Sequence, residues 1–307
     1  MIRSMLIVNP VSGTLAARES LFAIVDEMTR RGVVPTVVMT RKPGHARKLA
    51  SSAAGAGFEN VVCVGGDGTL NEVIAGLLSS GSSLPVGYIP TGSTNDFAGG
   101  LGLPLEPAMA ARDAARAAKE GRVMPIDIGK FGGSRYFTYI ASFGAFTHSS
   151  YSAPQQVKNL LGHLAYVLEG IKDFFQITTI HVVCKANGVR REGDYVFGGI
   201  CNTYSVGGIV KLGSDKVDMN DGLFEVVLVK APKTMAEFND IVTSVMSSRL
   251  DSDMIDFFRA SKLEITPPEG TAWSLDGEQA IAGGKTVIEN LRSALPLLHM
   301  ARKAKRK

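Results

Sequence analysis

At 307 residues, 45% hydrophobic and 20% charged, the chain is long enough for two cores and has the balance of a soluble globular protein. No uninterrupted apolar run approaches the roughly 18 residues of a membrane span. The net charge is only +4, so no broad field marks the whole chain as a polyanion binder. Met5–Val8 is too short for a secretory leader and reads as a first strand. Cys63, Cys184 and Cys201 sit in apolar, strand-like contexts without paired spacing. They read as buried thiols in a reducing compartment, not as a disulfide frame or a zinc site.

Residues 1–125 alternate strand and helix patterns. Met5–Val8 runs into a polar loop, Asn9-Pro10-Val11-Ser12-Gly13. Leu21, Phe22, Val25 and Met28 then recur at helical spacing. Val33–Met39 is strand-like and Thr40 opens the next loop. Gly44–Ala54 reads as a helix, Val61–Val64 as a buried strand and Leu70–Leu78 as a helix. Val86–Ile89 is a further strand. Asp96 and Phe97 lead towards an Ala-rich helix at about Pro107–Lys119. This alternation predicts a parallel sheet with helices on its faces.

The richest stretch is Val61–Val73. Its strand stops at Gly65-Gly66-Asp67-Gly68, and a helix-like segment opens at Thr69. Glycines let the backbone turn tightly and let a ligand approach it. A helix start offers unpaired N–H groups and the positive dipole end to phosphate. Asp67 is the odd member. A carboxylate repels phosphate, so it implies a metal, a hydroxyl or an amine alongside. Such a cluster is more often an ordinary turn. Two similar junctions, at Asn9–Gly13 and at Gly92-Ser93-Thr94-Asn95-Asp96, favour the carboxyl edge of a parallel sheet, where such folds bind ligands. There is no Gly-x-x-x-x-Gly-Lys-Ser/Thr sequence, so this is not a P-loop.

The texture changes near Pro125. Short strand-like runs follow at Ile126–Phe131, Tyr136–Phe143, Thr179–Ala186, Tyr195–Tyr204, Leu223–Val229, Lys262–Thr266 and Gly284–Ile288. They predict an all-β layer or sandwich. Helical spacing marks about Val157–Phe175, read as a cover over a β core in preference to a lipid-facing surface, and about Met235–Ser247. Asp215, Asp218 and Asp221 make a carboxylate-rich loop, by default a solvated acidic turn. The five histidines show no metal spacing, and Trp273 reads as a packing residue.

Four of these segments together resemble the diacylglycerol kinase catalytic family, in its bacterial soluble lipid-kinase branch. They are Asn9-Pro10…Ser12-Gly13, Thr40 with Gly44-His45-Ala46, Gly65–Glu72, and Gly92–Ala98. Asn220–Phe224 and Leu275-Asp276-Gly277-Glu278 resemble the family's later motifs, so the match covers almost the whole chain. NAD kinases and 6-phosphofructokinases share loops like Gly65–Thr69, but the ordered set is more specific. The resemblance implies an α/β plus all-β fold. A nucleotide-binding domain with a parallel sheet (1–125, with 291–307 returning to it) precedes a β-sandwich lipid-substrate domain (126–290), and the active site lies in an interdomain cleft.

The implied reaction carries the γ-phosphate of ATP to a lipid hydroxyl, with diacylglycerol as the leading acceptor. A sphingoid base, another lipid alcohol, NAD, or a non-catalytic regulator are the alternatives. Asn9, Pro10, Val11, Ser12, Gly13, Thr40, Gly66, Asp67, Gly68, Thr69, Leu70, Asn71, Glu72 and Ser93 are the expected ATP contacts. Asp67 is the candidate for the catalytic Mg²⁺ and Asp96 its support, with a helix N-cap as the other reading of Asp96. The family's motif gives Glu278 the role of general base, with Asp276 the alternative. Strand alternation would put both on one face, and Asp-Gly is also a hairpin signal. Resemblance further implies a second, structural Mg²⁺ at Asp218, Asp221 and the Leu223 carbonyl.

The tail Ala301–Lys307 carries five cations and no anion. It reads first as a solvated terminus, and second as a contact for anionic lipid. No aromatic residues interleave with it, so nucleic acid is not an expected partner. The expected setting is cytoplasmic or peripheral at the inner membrane face, with a homodimer left open.

Overall fold

The computed structural model describes residues 1–13, 15–144, 178–203, 205–206, 210–211, 218–247 and 249–300. The expected helix at about 157–175, Asp215 and the basic tail lie outside the described residues. Contacts divide the chain into two units. One is Met1–Asp127 together with the stretch from Ser293, and the other is Ile128–Arg292.

In the first unit, β1 (Ile2–Val8), α1 (Ala16–Thr29), β2 (Val33–Met39), α2 (His45–Ala53), β3 (Asn60–Gly65), α3 (Asp67–Ser79) and β4 (Val86–Pro90) alternate as the sequence pattern predicts. β1 pairs in parallel with both β2 and β3, and β3 pairs in parallel with β4. Every residue of β3 and β4 is buried, as a sheet covered on both faces requires. Leu6, Val8, Val62, Val64 and Ile89 form one core with Ala17, Ile24 and Met28 of α1 and the alanines of the last helix of this unit. The buried stripe of α1 therefore differs from the expected one. Phe22 is 86% exposed, because a helix that buries positions 17, 24 and 28 turns position 22 outwards.

A short α4 (Asp96–Leu101) precedes α5 (Pro107–Glu120). The start of α5 is fixed by Glu106, whose side chain accepts from Ala108 N and Met109 N at 2.9 and 2.7 Å. Pro107 takes the first turn and Gly121 (φ 63°) ends the helix.

The second unit contains β5 (Val123–Phe131), which enters it from the first, then β6 (Arg135–Phe137), β7 (Ile140–Gly144), β8 (Ile180–Ala186), β9 (Val189–Cys201) and the pair β10 (Ser205–Val206) and β11 (Val210–Lys211). β12 (Phe224–Lys230), α6 (Met235–Met246), β13 (Ile255–Ala260), β14 (Lys262–Thr266), β15 (Ala272–Leu275), β16 (Glu278–Ile281) and β17 (Thr286–Leu298) follow. Strand β9 belongs to two layers. Its first half pairs with β8, and its second half pairs with β7 and β12. One layer runs β16-β15-β7-β9-β12-β13, and the other continues from β8 through β14 to β17. Their inner faces share one core that includes Phe137, Phe143, Val182, Ile200, Phe224, Leu263 and Trp273. This is a β-sandwich. Trp273 is fully buried with Phe131 and Phe143 centroids 4.9 and 4.8 Å away, a packing role.

Three expected strands differ from the structure. Tyr195–Tyr204 is the second half of β9, which begins at Val189 and ends at Cys201. Tyr136–Phe143 is not one strand but β6 and β7, broken at Thr138 and Tyr139. Asp276 causes the break. One carboxylate oxygen accepts from Thr138 N (2.6 Å) and Thr138 Oγ1 (2.9 Å), and the other from Tyr139 N and Ile140 N (both 3.0 Å). Those amides bond a side chain instead of a neighbouring strand. The run expected at Gly284–Ile288 extends as β17 to Leu298. Val287 and Ile288 pair with β14, and Leu297 pairs in parallel with Val86 of β4. Where β17 passes β5, Ser293 N donates to the fully buried Asp127 carboxylate at 2.7 Å. Among the described residues no helix is long and apolar enough to cross a membrane.

Asp276→Ala would leave four donors around residues 138–140 without their acceptor. Urea unfolding should show a loss of roughly 3 kcal/mol or more, whereas removal of an exposed carboxylate such as Glu269 should stay within about 0.5 kcal/mol.

Candidate active site

The sheet order sets the site of the first unit. Parallel strands β1, β2, β3 and β4 deliver their carboxyl ends, Asn9–Gly13, Thr40, Gly65–Gly68 and Thr91–Asp96, to one edge. Helix α3 starts two residues earlier than the sequence pattern suggests, so Asp67 lies in its first turn.

The loops are tied to α3 and to each other. Asn9 Nδ2 donates to Thr69 Oγ1 at 3.0 Å. The Ser12 and Thr91 hydroxyls are 2.7 Å apart. Asn95 closes the last loop on itself. Its Oδ1 accepts from Gly92 N and its Nδ2 donates to Gly92 O, both at 2.9 Å. The glycines act by close approach more than by turning. Gly66 has an extended backbone with φ −91°. A Cβ on Gly92 would lie 2.6 Å from the Gly66 Cα, so the two loops touch backbone to backbone.

Both acids of the motif receive helix starts. Asp67 Oδ2 accepts from Asp96 N at 2.9 Å, and Asp67 Oδ1 from Phe97 N at 3.3 Å, which satisfies the first amides of α4. Asp96 is therefore the first residue of α4, not its cap. Asn95, with φ 55°, holds the cap position. Glu72 does the same for α2. Its two oxygens accept from Gly44 N (2.7 Å) and Ala46 N (3.1 Å), which fixes the loop after Thr40.

The electrostatics around Asp67 are tense. Burial pushes its carboxyl above the ordinary range, and the Asp96 charge adds to this. The amides of Asp96 and Phe97 and the Tyr88 hydroxyl, 3.3 Å from Oδ1, pull the other way. Burial and the Asp67 charge keep the Tyr88 phenol protonated, so it serves as a donor. Tyr88 and Thr91 were not singled out from sequence. The signal available was a polar group in the middle of the apolar β4 and another just after it.

The remaining expected contacts differ in setting. Val11 and Ser93 are exposed, with Val11 at 69%, while Thr69 is nearly buried and Leu70 fully so. Leu70 faces the core, so only its backbone is open to a ligand. Among the described residues no group of three or more His, Cys, Asp or Glu side chains could hold a metal by itself. Asp67 beside Asp96 offers hard oxygen donors whose mutual repulsion a divalent ion would relieve. That donor set fits Mg²⁺ carried largely by nucleotide phosphates.

The second unit holds the other candidates. Asp276 (φ 50°) and Gly277 (φ 87°) are the two turn residues between β15 and β16, the left-handed pair of a type I′ hairpin. Residue 276 therefore lies in the turn and residue 278 follows it, so the two do not share one strand face. Asp276 is buried and bonded inwards, whereas Glu278 is exposed at the start of β16. In the acidic loop, Asn220 N donates to Asp218 Oδ1 at 3.1 Å and Leu223 N to Asp221 Oδ1 at 2.9 Å. Arg259 pairs with Asp221 Oδ2 and, at 3.1 Å, with Glu225. Burial raises the Glu225 carboxyl to about 7, with Arg259 opposing. A metal on this loop would share Asp221 with the Arg259 guanidinium.

Residues 3–131 match the family model described as diacylglycerol kinase catalytic domain, and residues 145–299 that described as YegS C-terminal NAD kinase beta sandwich-like domain. The chain is 33% identical over 277 residues to a diacylglycerol kinase of Bacillus subtilis (strain 168), covering 90% of this chain and 89% of that protein. It is 30% identical over 287 residues to a "Probable lipid kinase YegS-like" protein of Yersinia enterocolitica, covering 93% and 94%. The fold is shared with a solved diacylglycerol kinase structure from Bacillus anthracis str. Sterne, with TM-score 0.72 at 21% identity over 97% of this chain and 96% of that one.

Glu72→Ala should free the start of α2. We expect a stability loss of about 0.5–2 kcal/mol, as for a lost cap. Nucleotide affinity, measured by calorimetry, should also fall, because the Thr40 loop loses its anchor.

Proposed function

Since the chain belongs to the diacylglycerol kinase catalytic family and is an ATP-dependent phosphotransferase with an alcohol acceptor, we propose that its acceptor is diacylglycerol and its product phosphatidic acid. The observation that carries the reading is the gathering of four strand-end loops around α3. Phosphoryl transfer depends on positioning and charge compensation more than on covalent chemistry, and a set of interlocked loops at helix starts supplies positioning.

In this reading Asn9–Gly13, Thr40, Gly66–Glu72 and Ser93 grip ATP, mostly through backbone amides and small polar groups. Glu72 acts through the Thr40 loop, since both its oxygens are engaged. Asp67, supported by Asp96, would hold Mg²⁺, which supplies charge compensation on the phosphate oxygens. Glu278 accepts the proton of the attacking lipid hydroxyl, whose oxygen forms the new P–O bond as the bond to ADP breaks. Asp276 shapes the turn that presents Glu278 and stays out of proton transfer. A second Mg²⁺ at Asp218, Asp221 and the Leu223 carbonyl belongs to the same proposal, with Arg259 as its neighbour. Residence in the cytoplasm with peripheral contact to the inner membrane face fits a water-soluble kinase with a lipid acceptor.

One observation favours a second acceptor. The description of the C-terminal family model likens its sandwich to NAD kinase, so NAD belongs in any test. Purified protein, labelled ATP and Mg²⁺ should label dispersed diacylglycerol in preference to sphingoid bases, other lipid alcohols and NAD. Labelling of NAD alone would overturn the lipid assignment. Glu278→Gln should lower kcat by about 10²–10⁴-fold with little change in ATP affinity.

The pH profile tests Asp67. Its ionised form is the one that binds metal, and it is lost as pH falls through its raised pKa. The acidic limb of kcat/KM should therefore lie above the value near 4 of an ordinary Asp. Asp96→Asn removes a repelling charge, which lowers the Asp67 pKa. The limb should move to lower pH in that variant.

A further inference from the structure

We propose that the groove between the C-terminal halves of α1 and α5 binds phosphate-bearing anions, at a place separate from the nucleotide loops. It is an open cavity of about 600 Å³ lined by five cations and two carboxylates. The cations come from both helices. Arg30 and Arg31 end α1 or follow it, and Arg112, Arg116 and Lys119 form the outer stripe of α5, at the i, i+4, i+7 spacing that shares a face.

The carboxylates organise these cations without cancelling them. Glu27, with its side chain only 14% exposed, accepts from Arg112 Nε at 3.0 Å and pairs with Arg31 at 2.7 Å. The Arg112 hydrogen bond chiefly, with the nearby arginine charges, holds the Glu27 carboxyl below its usual range. Glu27 therefore stays ionised and fixes one arginine from each helix. Glu120 sits 3.6 Å from Arg116 and 3.1 Å from Arg122. Lys119 has no ion pair among the described residues. The lining holds three more cations than carboxylates; Arg30 also pairs with Asp26 at 3.0 Å and Arg112 donates through two nitrogens to Glu27, which leaves the remaining guanidinium N–H groups and Lys119 for phosphate oxygens.

The last described residues pack on α5. His299 Nδ1 lies 2.6 Å from Asp113 Oδ2 on α5, and Met300 N donates to the same oxygen at 3.3 Å. Meanwhile the nucleotide loops precede α1 at its other end. At about 1.5 Å per residue, Arg30 lies roughly 20 Å from the first turn of α1. The groove is a different site from the one that grips ATP.

Two sources carry the required chemistry, namely a free phosphate compound and an anionic lipid headgroup. The test uses the full-length protein with two probes. Inorganic pyrophosphate is titrated calorimetrically, and vesicles of phosphatidylglycerol in phosphatidylcholine are assayed by flotation against pure phosphatidylcholine. Two variants are compared with the wild type. Arg112→Gln with Arg116→Gln disrupts the groove, and Arg116→Gln with Lys119→Gln spares the partners of Glu27. Unchanged circular dichroism melting establishes that both fold. Because pyrophosphate also suits the nucleotide loops, the quantity read is the difference between wild type and variant.

We expect both variants to weaken binding of at least one probe by about tenfold or more, with steep loss at higher salt. A loss confined to pyrophosphate assigns a free phosphate ligand, and one confined to vesicles assigns the headgroup. If neither variant changes binding of either probe, the proposal is overturned. Binding is read without turnover, so the result is independent of which acceptor the kinase uses.

Discussion

Asp67 and Glu72 both stand on α3, and each receives the backbone amides that open another helix. The first turns of α2 and α4 have N–H groups that no helix can satisfy internally. Negative side chains from a third helix satisfy them, so three helix starts and four loops become one assembly. An acid inside a glycine-rich phosphate motif looks paradoxical in sequence. In the fold it fixes the start of α4, while Thr91 N, which donates to Gly65 O at 2.9 Å, joins the two loops directly. The metal role proposed for Asp67 uses the same charge twice. A buried carboxylate that holds two amides is already aimed and ready to meet a cation.

The second unit repeats this logic with a hairpin. Asp276 spends its four hydrogen bonds on Thr138, Tyr139 and Ile140, far away in sequence. That commitment breaks one strand into β6 and β7, and it also pins the turn whose next strand begins with Glu278. Two acids separated by a glycine thus take opposite settings, one buried and structural, the other exposed at the start of β16. The contrast favours Glu278 as base on physical grounds that spacing could not supply.

How much of this was legible in the sequence follows from what each feature depends on. The parallel β-α alternation was legible because Val61–Val64 and Val86–Ile89 are continuous apolar runs between helical patterns. The ordered motifs identified the family. The burial of Leu70 and the exposure of Phe22 were not legible, since one apolar residue looks like another until the helix phase is known. The break at Thr138 could not be read, because its cause lies at residue 276. Short strands such as β13, with Asp256 and Arg259 among its apolar residues, and β15 carry too little periodicity to stand out. The caps of Asp67 and Glu72 also escaped, since a carboxylate that bonds a distant backbone leaves no local pattern.

Strand β17 has a consequence for how the chain is made. Its first part pairs with β14 in the sandwich, and its end lies beside β4 in the nucleotide unit. Asp276, which fixes the β6–β7 corner, also comes late. A ribosome working at about 5–20 residues per second releases β4 long before its final neighbour exists. Until then the first unit has an open parallel edge, and such edges invite pairing with other chains. Neither unit can close without the last few dozen residues, so folding is a late, shared event with costly long-range loop closures. A stop codon shortly before β17 would therefore disable both units, although most of each would already have been synthesised.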